Sequence, residues 1–217
     1  GTANVQVNCD SVTSSAALIE LRSSINNITQ GKYFPSIRAA LTSANAGDII
    51  ELAAGTYDEG VTINWPNTTN ITLRGAAGTT SANVKISGGY LHRIFEINYA
   101  VTVNFSGLTI AEGRVTNNSG GGFLIADNAK LYLNNVIISG NNTVRTSGTN
   151  YHGGAIYAGV NTRIYATNCL FRNNYAYSYG GMGMYGIWQV ENCIFSNNTA
   201  NTGAGVAGYG SWNAKNC

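Results

Sequence analysis

The 217-residue chain is only 10% Asp, Glu, Lys and Arg and has a net charge of +2, whereas charged residues are roughly a quarter of an average soluble protein. Such a balance excludes a field strong enough to seek nucleic acid, and two prolines exclude collagen-like or Pro-rich structure. The composition is instead rich in turn formers, with 27 Gly and 29 Asn beside 13 Tyr, which implies a polar but uncharged surface. No run approaches 18 apolar residues, so no segment reads as membrane-spanning. The start, Gly1-Thr2-Ala3-Asn4, lacks Met, a basic segment and an apolar segment. A signal peptide is thus absent or already removed, and the second alternative suits an extracellular or cell-surface protein.

In chain order, Leu18, Leu21 and Ile25 share one side of a candidate helix over Ser15 to Asn26. A second helix is predicted over Pro35–Ala44, where Ile37, Ala40, Leu41 and Ala44 share a face. Pro35 at its first turn and Gly47 beyond its end are sound helix punctuation. Strands are expected at Asp48–Leu52, Val61–Ile63, Ile71–Leu73, Val84–Ile86 and Ile94–Ile97, with a Gly55-Thr56-Tyr57 turn between the first two.

From there the chain repeats itself. Cys169, Cys193 and Cys217 are 24 residues apart twice over. Thr167-Asn168-Cys169-Leu170-Phe171-Arg172-Asn173-Asn174 matches Glu191-Asn192-Cys193-Ile194-Phe195-Ser196-Asn197-Asn198, and Lys215-Asn216-Cys217 begins a third copy. Asn135 to Asn142 fits one unit earlier with one extra residue, and Leu108-Thr109-Ile110 holds the same place before that. Gly pairs at 121–122, 153–154 and 180–181 punctuate the units. Apolar residues alternate within each unit, which marks short strands with one face inward. Gly and Asn then make the corners, since both tolerate positive φ. Units of this size stack into an all-β parallel β-helix, a solenoid in which equivalent residues lie one strand spacing apart. Cys169, Cys193 and Cys217 would form an inward ladder, with Phe171 and Phe195 as another beside it. Matched Asn residues could bond amide to amide along the stack. Stacked like charges repel, whereas stacked Asn, Cys, Phe or Tyr do not, and this accounts for the sparse charge. Residues 1–47 would be an N-terminal helical cap, and 48–217 the coils, the last of them incomplete at Cys217. Either more chain follows Cys217, or an open coil there meets another molecule.

Ser36-Ile37-Arg38-Ala39-Ala40-Leu41, Ala44-Asn45-Ala46-Gly47-Asp48-Ile49-Ile50 and Gly55-Thr56-Tyr57 resemble the opening of pectate-lyase-like right-handed β-helix proteins. Ile71-Thr72-Leu73-Arg74-Gly75 and Ser106-Gly107-Leu108-Thr109-Ile110 resemble that group's following coils. Gly153-Gly154-Ala155-Ile156, Phe171-Arg172-Asn173-Asn174 and Phe195-Ser196-Asn197-Asn198 are similar to repeats of chlamydial polymorphic outer membrane proteins. The resemblance spans roughly residues 33–217. It implies the fold and leaves function open, because this architecture carries lyases, hydrolases, adhesins and passengers alike.

It makes a polysaccharide lyase or glycoside hydrolase the first enzymatic hypothesis. Lyases of this group gather Asp residues for calcium, but Asp10, Asp48, Asp58 and Asp127 share no repeat position. A hydrolase needs two facing carboxylates, and neighbours in Asp58-Glu59 point to opposite faces of a strand. His92 and His152 have no visible orienting partner and read as surface residues beside Tyr90 and Tyr151. Arg74, Arg93, Arg163 and Arg172 could meet anionic glycans but are more simply solvated. No catalytic residue, metal site or cofactor is expected. The cysteines read as buried thiols; neighbouring coils would also permit one disulfide, and Cys9 has no assignable partner. Tyr175, Tyr177 and Tyr179 alternate and could share one face. That face suits sugar rings or a protein interface, and corner packing suits it equally.

Seven sequons stand at Asn27, Asn67, Asn70, Asn104, Asn117, Asn141 and Asn197. With 29 Asn and 37 Ser and Thr in the chain, about five arise by chance, so the sites permit N-glycosylation without indicating it. The residues favour a non-catalytic extracellular structural or adhesive protein, such as a subunit of a glycosylated fibre or surface layer. Its partners would be copies of itself, other surface proteins or glycans.

Overall fold

The structure is a computed structural model; it describes residues 24–64, 70–147, 151–178, 182–201 and 203–217. Almost all regular structure in these residues is short parallel strands in four sheets. Sheet 1 has nine strands, sheets 2 and 4 have six each, and sheet 3 has three. The chain visits the sheets in a fixed order. Thr102–Ser106 lies in sheet 1, Thr109–Ala111 in sheet 2, Arg114–Thr116 in sheet 3 and Phe123–Ile125 in sheet 4. Lys130–Asn134 then returns to sheet 1 and pairs parallel with Thr102–Ser106. Ile137–Ser139, Asn142–Val144 and Ile156–Ala158 repeat the visit, followed by Arg163–Thr167. The next two returns to sheet 1 are Ile187–Glu191 and Ser211–Lys215. Among the described residues no helix is long and apolar enough to cross a membrane.

Strand alternation puts every second residue inward, and the register stacks these residues into columns. One column in sheet 2 is Tyr57, Ile86, Ile110, Ile138, Phe171 and Phe195. The Phe171 and Phe195 rings stack at 5.0 Å and 6°. Trp188 and Trp212 stack likewise at 4.5 Å and 10° in sheet 1. Phe95, Phe105 and Phe123 meet across the interior, with centroids 4.8–5.3 Å apart. Cys169 and Cys193 are buried beside the phenylalanines, whereas Cys217 is exposed. All three are free thiols, so the alternative of a disulfide among them is not realised.

The 24-residue spacing holds for the last two returns, Ile164 to Trp188 to Trp212. The preceding unit aligns differently from the sequence reading. Ile137 pairs with Leu170 and Ile138 with Phe171, so Gly140-Asn141 stands beside Asn173-Asn174 and no residue is inserted there. Most of the added length lies between Val144 and Ile156, at the passage from sheet 3 to sheet 4.

Paired corner residues do two jobs. The first adopts positive φ: Gly140 (65°), Asn173 (55°) and Asn197 (52°). The second turns inward as a ladder. Asn141 Nδ2 donates to Asn174 Oδ1 at 3.1 Å, and Asn174 Nδ2 donates to Asn198 Oδ1 at 3.0 Å. The same oxygens accept the backbone N–H of Asn141 and Asn174. Each Nδ2 also reaches a backbone carbonyl, of Ile110, Ile138 and Phe171 in turn. The ladder begins at Gly113, whose N–H donates to Asn141 Oδ1 at 2.9 Å. A Cβ on Gly113 would meet Gly121 O at 2.1 Å, so no larger residue fits.

The N-terminal region departs most from expectation. Of the candidate helix Ser15–Asn26, residues up to 23 lie outside the described residues, and Ile25 and Asn26 belong to a strand. That strand forms an antiparallel hairpin with Lys32–Phe34 and pairs antiparallel with Ile49–Leu52, so a hairpin forms this edge of sheet 1. The helix over Pro35–Ala44 is realised as Ile37–Thr42, with Ser36 as its N-cap and Ile37, Ala40 and Leu41 buried. Gly55-Thr56-Tyr57, expected as a turn, lies in the strand Gly55–Asp58, which pairs with Val84–Ser87. The buried Asp48 carboxylate ties these parts together. Its Oδ2 accepts from Asn27 Nδ2 (2.8 Å), Gln30 Nε2 (2.6 Å) and the Asn45 N–H (2.8 Å).

Asn174→Ala is expected to cost roughly 3 kcal/mol in urea denaturation, because it leaves several buried groups of neighbouring strands without partners. Asn173→Gly keeps the left-handed corner and is expected to change stability by less than about 0.5 kcal/mol. Equal losses in the two variants would show that the amide ladder is not what stabilises these corners.

Candidate functional site

The richest concentration of chemistry-bearing side chains surrounds a turn at Gly88–His92. A Cβ on Gly88 would meet His92 O at 2.5 Å and Glu112 O at 2.8 Å, so the turn closes only on glycine. The Tyr90 N–H donates to Glu112 O at 2.7 Å, with Tyr90 itself at φ 59°. Leu91 at the tip is 86% exposed. On one side lies a groove of about 580 Å3 lined by His92, Arg93, Arg114 and Asn118. On the other lies one of about 540 Å3 lined by Lys85, Glu112, Ser139, Asn142 and Arg172. Tyr90 borders both.

Glu112 is the acidic group of the second groove. It accepts from Lys85 Nζ at 2.6 Å and Ser87 Oγ at 2.8 Å. The Lys85 hydrogen bond holds its carboxyl below the ordinary value; burial opposes this, and the Ser87 bond adds to it. A carboxyl held this way stays ionised and is poorly suited to deliver a proton, since a general acid needs a raised pKa. Arg93 in the first groove is a structural cation. Burial lowers its pKa, Glu96 opposes the shift, and its guanidinium donates to Glu96 Oε2, Gly120 O and Ser119 O. Arg172 is exposed and lines the second groove. Arg74 pairs with Glu51 at 2.8 Å, and Arg163 is exposed on sheet 1.

The other candidates are dispersed. Asp58 points outward from its strand, while Glu59 receives the N–H groups of Ile37 and Arg38 at 2.9 and 3.1 Å. The two carboxylates therefore do not converge. His92 Nδ1 lies 3.0 Å from Arg93 O. The His152 ring packs near Tyr157 at 6.4 Å, and burial lowers its pKa. The Cys169 thiol is pushed up by its hydrogen bond with Cys193 and by burial. Among the described residues no group of three or more His, Cys, Asp or Glu is placed to hold a metal ion.

Tyr175 and Tyr177 do lie outward, alternating with buried Ala176 and Ser178. The Arg145 guanidinium sits 4.5 Å from the Tyr177 ring centroid. Tyr179 lies outside the described residues, as does Asn67. Two sequon candidates are corrected by burial: Asn27 and Asn141 are 0% exposed. The nitrogen a glycan would take is bonded to Asp48 in one case and to Ile110 and Asn174 in the other. Asn70 and Asn197 are exposed, and Asn104 and Asn117 are partly so.

Sequence reasoning gave no site role to Lys85, Glu112, Tyr90 and Tyr132. Glu112 occupies the positive-φ corner that Gly140, Asn173 and Asn197 hold elsewhere, so aligning the repeat further back would have marked it. Compared with family models, with curated proteins and with solved structures, the chain gives no match in any of the three.

The titratable groups predict a two-step loss of stability in acid. His152 is held below 6.5, so the unfolded chain binds its proton first and stability declines once the pH falls below that value. Asp48 and Glu112 are held below 3.8 and 4.5. For Asp48, burial works against the lowering, and the bonds from Asn45, Asn27 and Gln30 outweigh it. Depressed carboxyls stabilise fully above their unfolded values and lose that contribution as pH falls through the folded ones. Urea midpoints from neutral pH downward are expected to fall gently below 6.5 and steeply below 4.5. His152→Gln should remove the first step, and Asp48→Asn should flatten the second.

Proposed function

We propose that the chain is a right-handed parallel β-helix of the pectate-lyase-like architecture, in which residues 48–217 form the coils and the Ile37–Thr42 helix belongs to an N-terminal capping segment of residues 1–47. In this reading it is a non-catalytic structural or adhesive protein of the cell exterior, a subunit of a fibre or surface layer that associates through its coils. The observation that carries this is how the acidic groups are engaged. Of the eight Asp and Glu side chains among the described residues, seven bind a cation, a side-chain donor or a backbone N–H of the scaffold. Carboxylates bonded in this way stabilise strands and corners; lyases and hydrolases need theirs turned to substrate or metal. Exposed sequons at Asn70 and Asn197 are compatible with a glycosylated exterior protein.

A polysaccharide lyase or glycoside hydrolase of the same architecture is the second reading, and the groove holding Lys85, Glu112 and Arg172 is what favours it. Incubation with uronate polymers, with and without calcium, separates the two. The expected result is no unsaturated product by ultraviolet absorbance and no new reducing ends. Turnover that disappears in Arg172→Ala would establish the enzymatic reading instead. Electron micrographs and sedimentation of the native material test assembly: the structural reading expects elongated associates and fails if only separate monomers are found at high concentration.

A further inference from the structure

The outward face of sheet 1 carries a third groove, away from Tyr90. Register places Asn104, Tyr132 and Tyr165 in one column and Ser106, Asn134 and Thr167 in the next. Between them runs a depression of about 380 Å3 lined by these six residues. None of the six carries a charge, and the charged register neighbours at the two ends, Arg74 and Glu191, are paired with Glu51 and Lys215, so the groove offers a strongly charged polymer no unpaired counter-charge. Its walls differ: one is aromatic, the other hydroxyl and amide.

The aromatic wall ends in a step. Tyr132 and Tyr165 stack at 4.6 Å and 6°, so each ring covers one face of the other. On the opposite side of Tyr132 the column continues with Asn104, which is shorter and has no ring. The Asn104 Nδ2 is already bonded to Asn70 Oδ1 at 3.3 Å and to Ile71 O at 3.2 Å, which holds the amide in place below the ring. The second face of Tyr132 therefore looks over a fixed polar floor, and Tyr132 is 37% exposed. Three strands span roughly 10 Å, a length of two or three sugar rings.

We propose that this groove binds a short neutral oligosaccharide. One pyranose packs its C–H face on the open side of Tyr132 with Asn104 and Ser106 at its hydroxyls, and Asn134 and Thr167 meet the hydroxyls of the neighbouring ring. An aromatic face beside uncharged donors and acceptors is the combination that recognises a ring apolar on its flat sides and polar at its rim. The groove names a ligand class for the adhesive reading and rests on that reading only for its biological setting.

The test uses the whole chain produced without N-glycans, so that Asn104 is unmodified, on an array of neutral and acidic oligosaccharides, with affinities by calorimetry. Binding to neutral glycans is expected, little changed by added salt. Tyr132→Ala should weaken it about tenfold, and Tyr132→Phe should keep it within about threefold, since the ring face remains. Ser106→Trp fills the groove while leaving both tyrosines and should abolish binding. Unchanged thermal melting shows that each variant is folded. Three results would overturn the proposal: no binding to any neutral glycan, equal binding by wild type and Ser106→Trp, or preference for acidic glycans that salt removes. Sedimentation of the same samples tests assembly independently, so a failed groove and a failed structural reading are told apart.

Discussion

Parallel, in-register pairing is the constraint on which the rest of the structure depends. Each strand lies one spacing from its counterpart in the neighbouring pass, so each side chain meets the residue at its own repeat position. Identity or complementarity must be satisfied column by column. The interior answers with like on like: Phe171 on Phe195, Trp188 on Trp212. At two places among the described residues the exterior sets opposite charges in register, Glu51 with Arg74 and Glu191 with Lys215. Lys130 and Arg163 break the rule, as register neighbours of like charge. Both are exposed, where long side chains separate and water screens them.

What was legible in the sequence follows from this constraint. The inward columns could be read because Cys169, Cys193, Phe171 and Phe195 recur at a strict interval with period-2 neighbours. The amide ladder could be anticipated because Asn recurs at matched corners. Which Asn of each pair would be buried was not legible, since the two residues are chemically identical and only backbone conformation separates them. Asn141 reads as a glycan acceptor in sequence because a one-residue slip sets it in the outward place, whereas Gly140 takes that corner and Asn141 is a buried strut. The variable passage before Ile156 disguised the register of the unit ahead of it.

Non-repeating parts were harder for the same reason. Gly55-Thr56-Tyr57 looks like a turn because Gly55 is a poor strand former, yet pairing with Val84–Ser87 overrides local preference. The hairpin at Ile25 was hidden behind leucines at helical spacing. The grooves gather residues distant in sequence whose chemistry is ordinary one at a time. Lys85 becomes informative only when the register brings Glu112 onto it, and Tyr132 only when the column shows a ring followed by a short amide.

The ladder that starts at Gly113 has a direction. Asn141 donates to Asn174, and Asn174 donates to Asn198. Asn141 and Asn174 are thus each completed by the amide that comes later in the chain. The aligned dipoles polarise one another in a single sense. During synthesis, which proceeds from the N-terminus, the newest corner always holds donors whose acceptor has yet to emerge. The fold can therefore be extended in step with the chain, each addition relieving an unmet bond in the one before it.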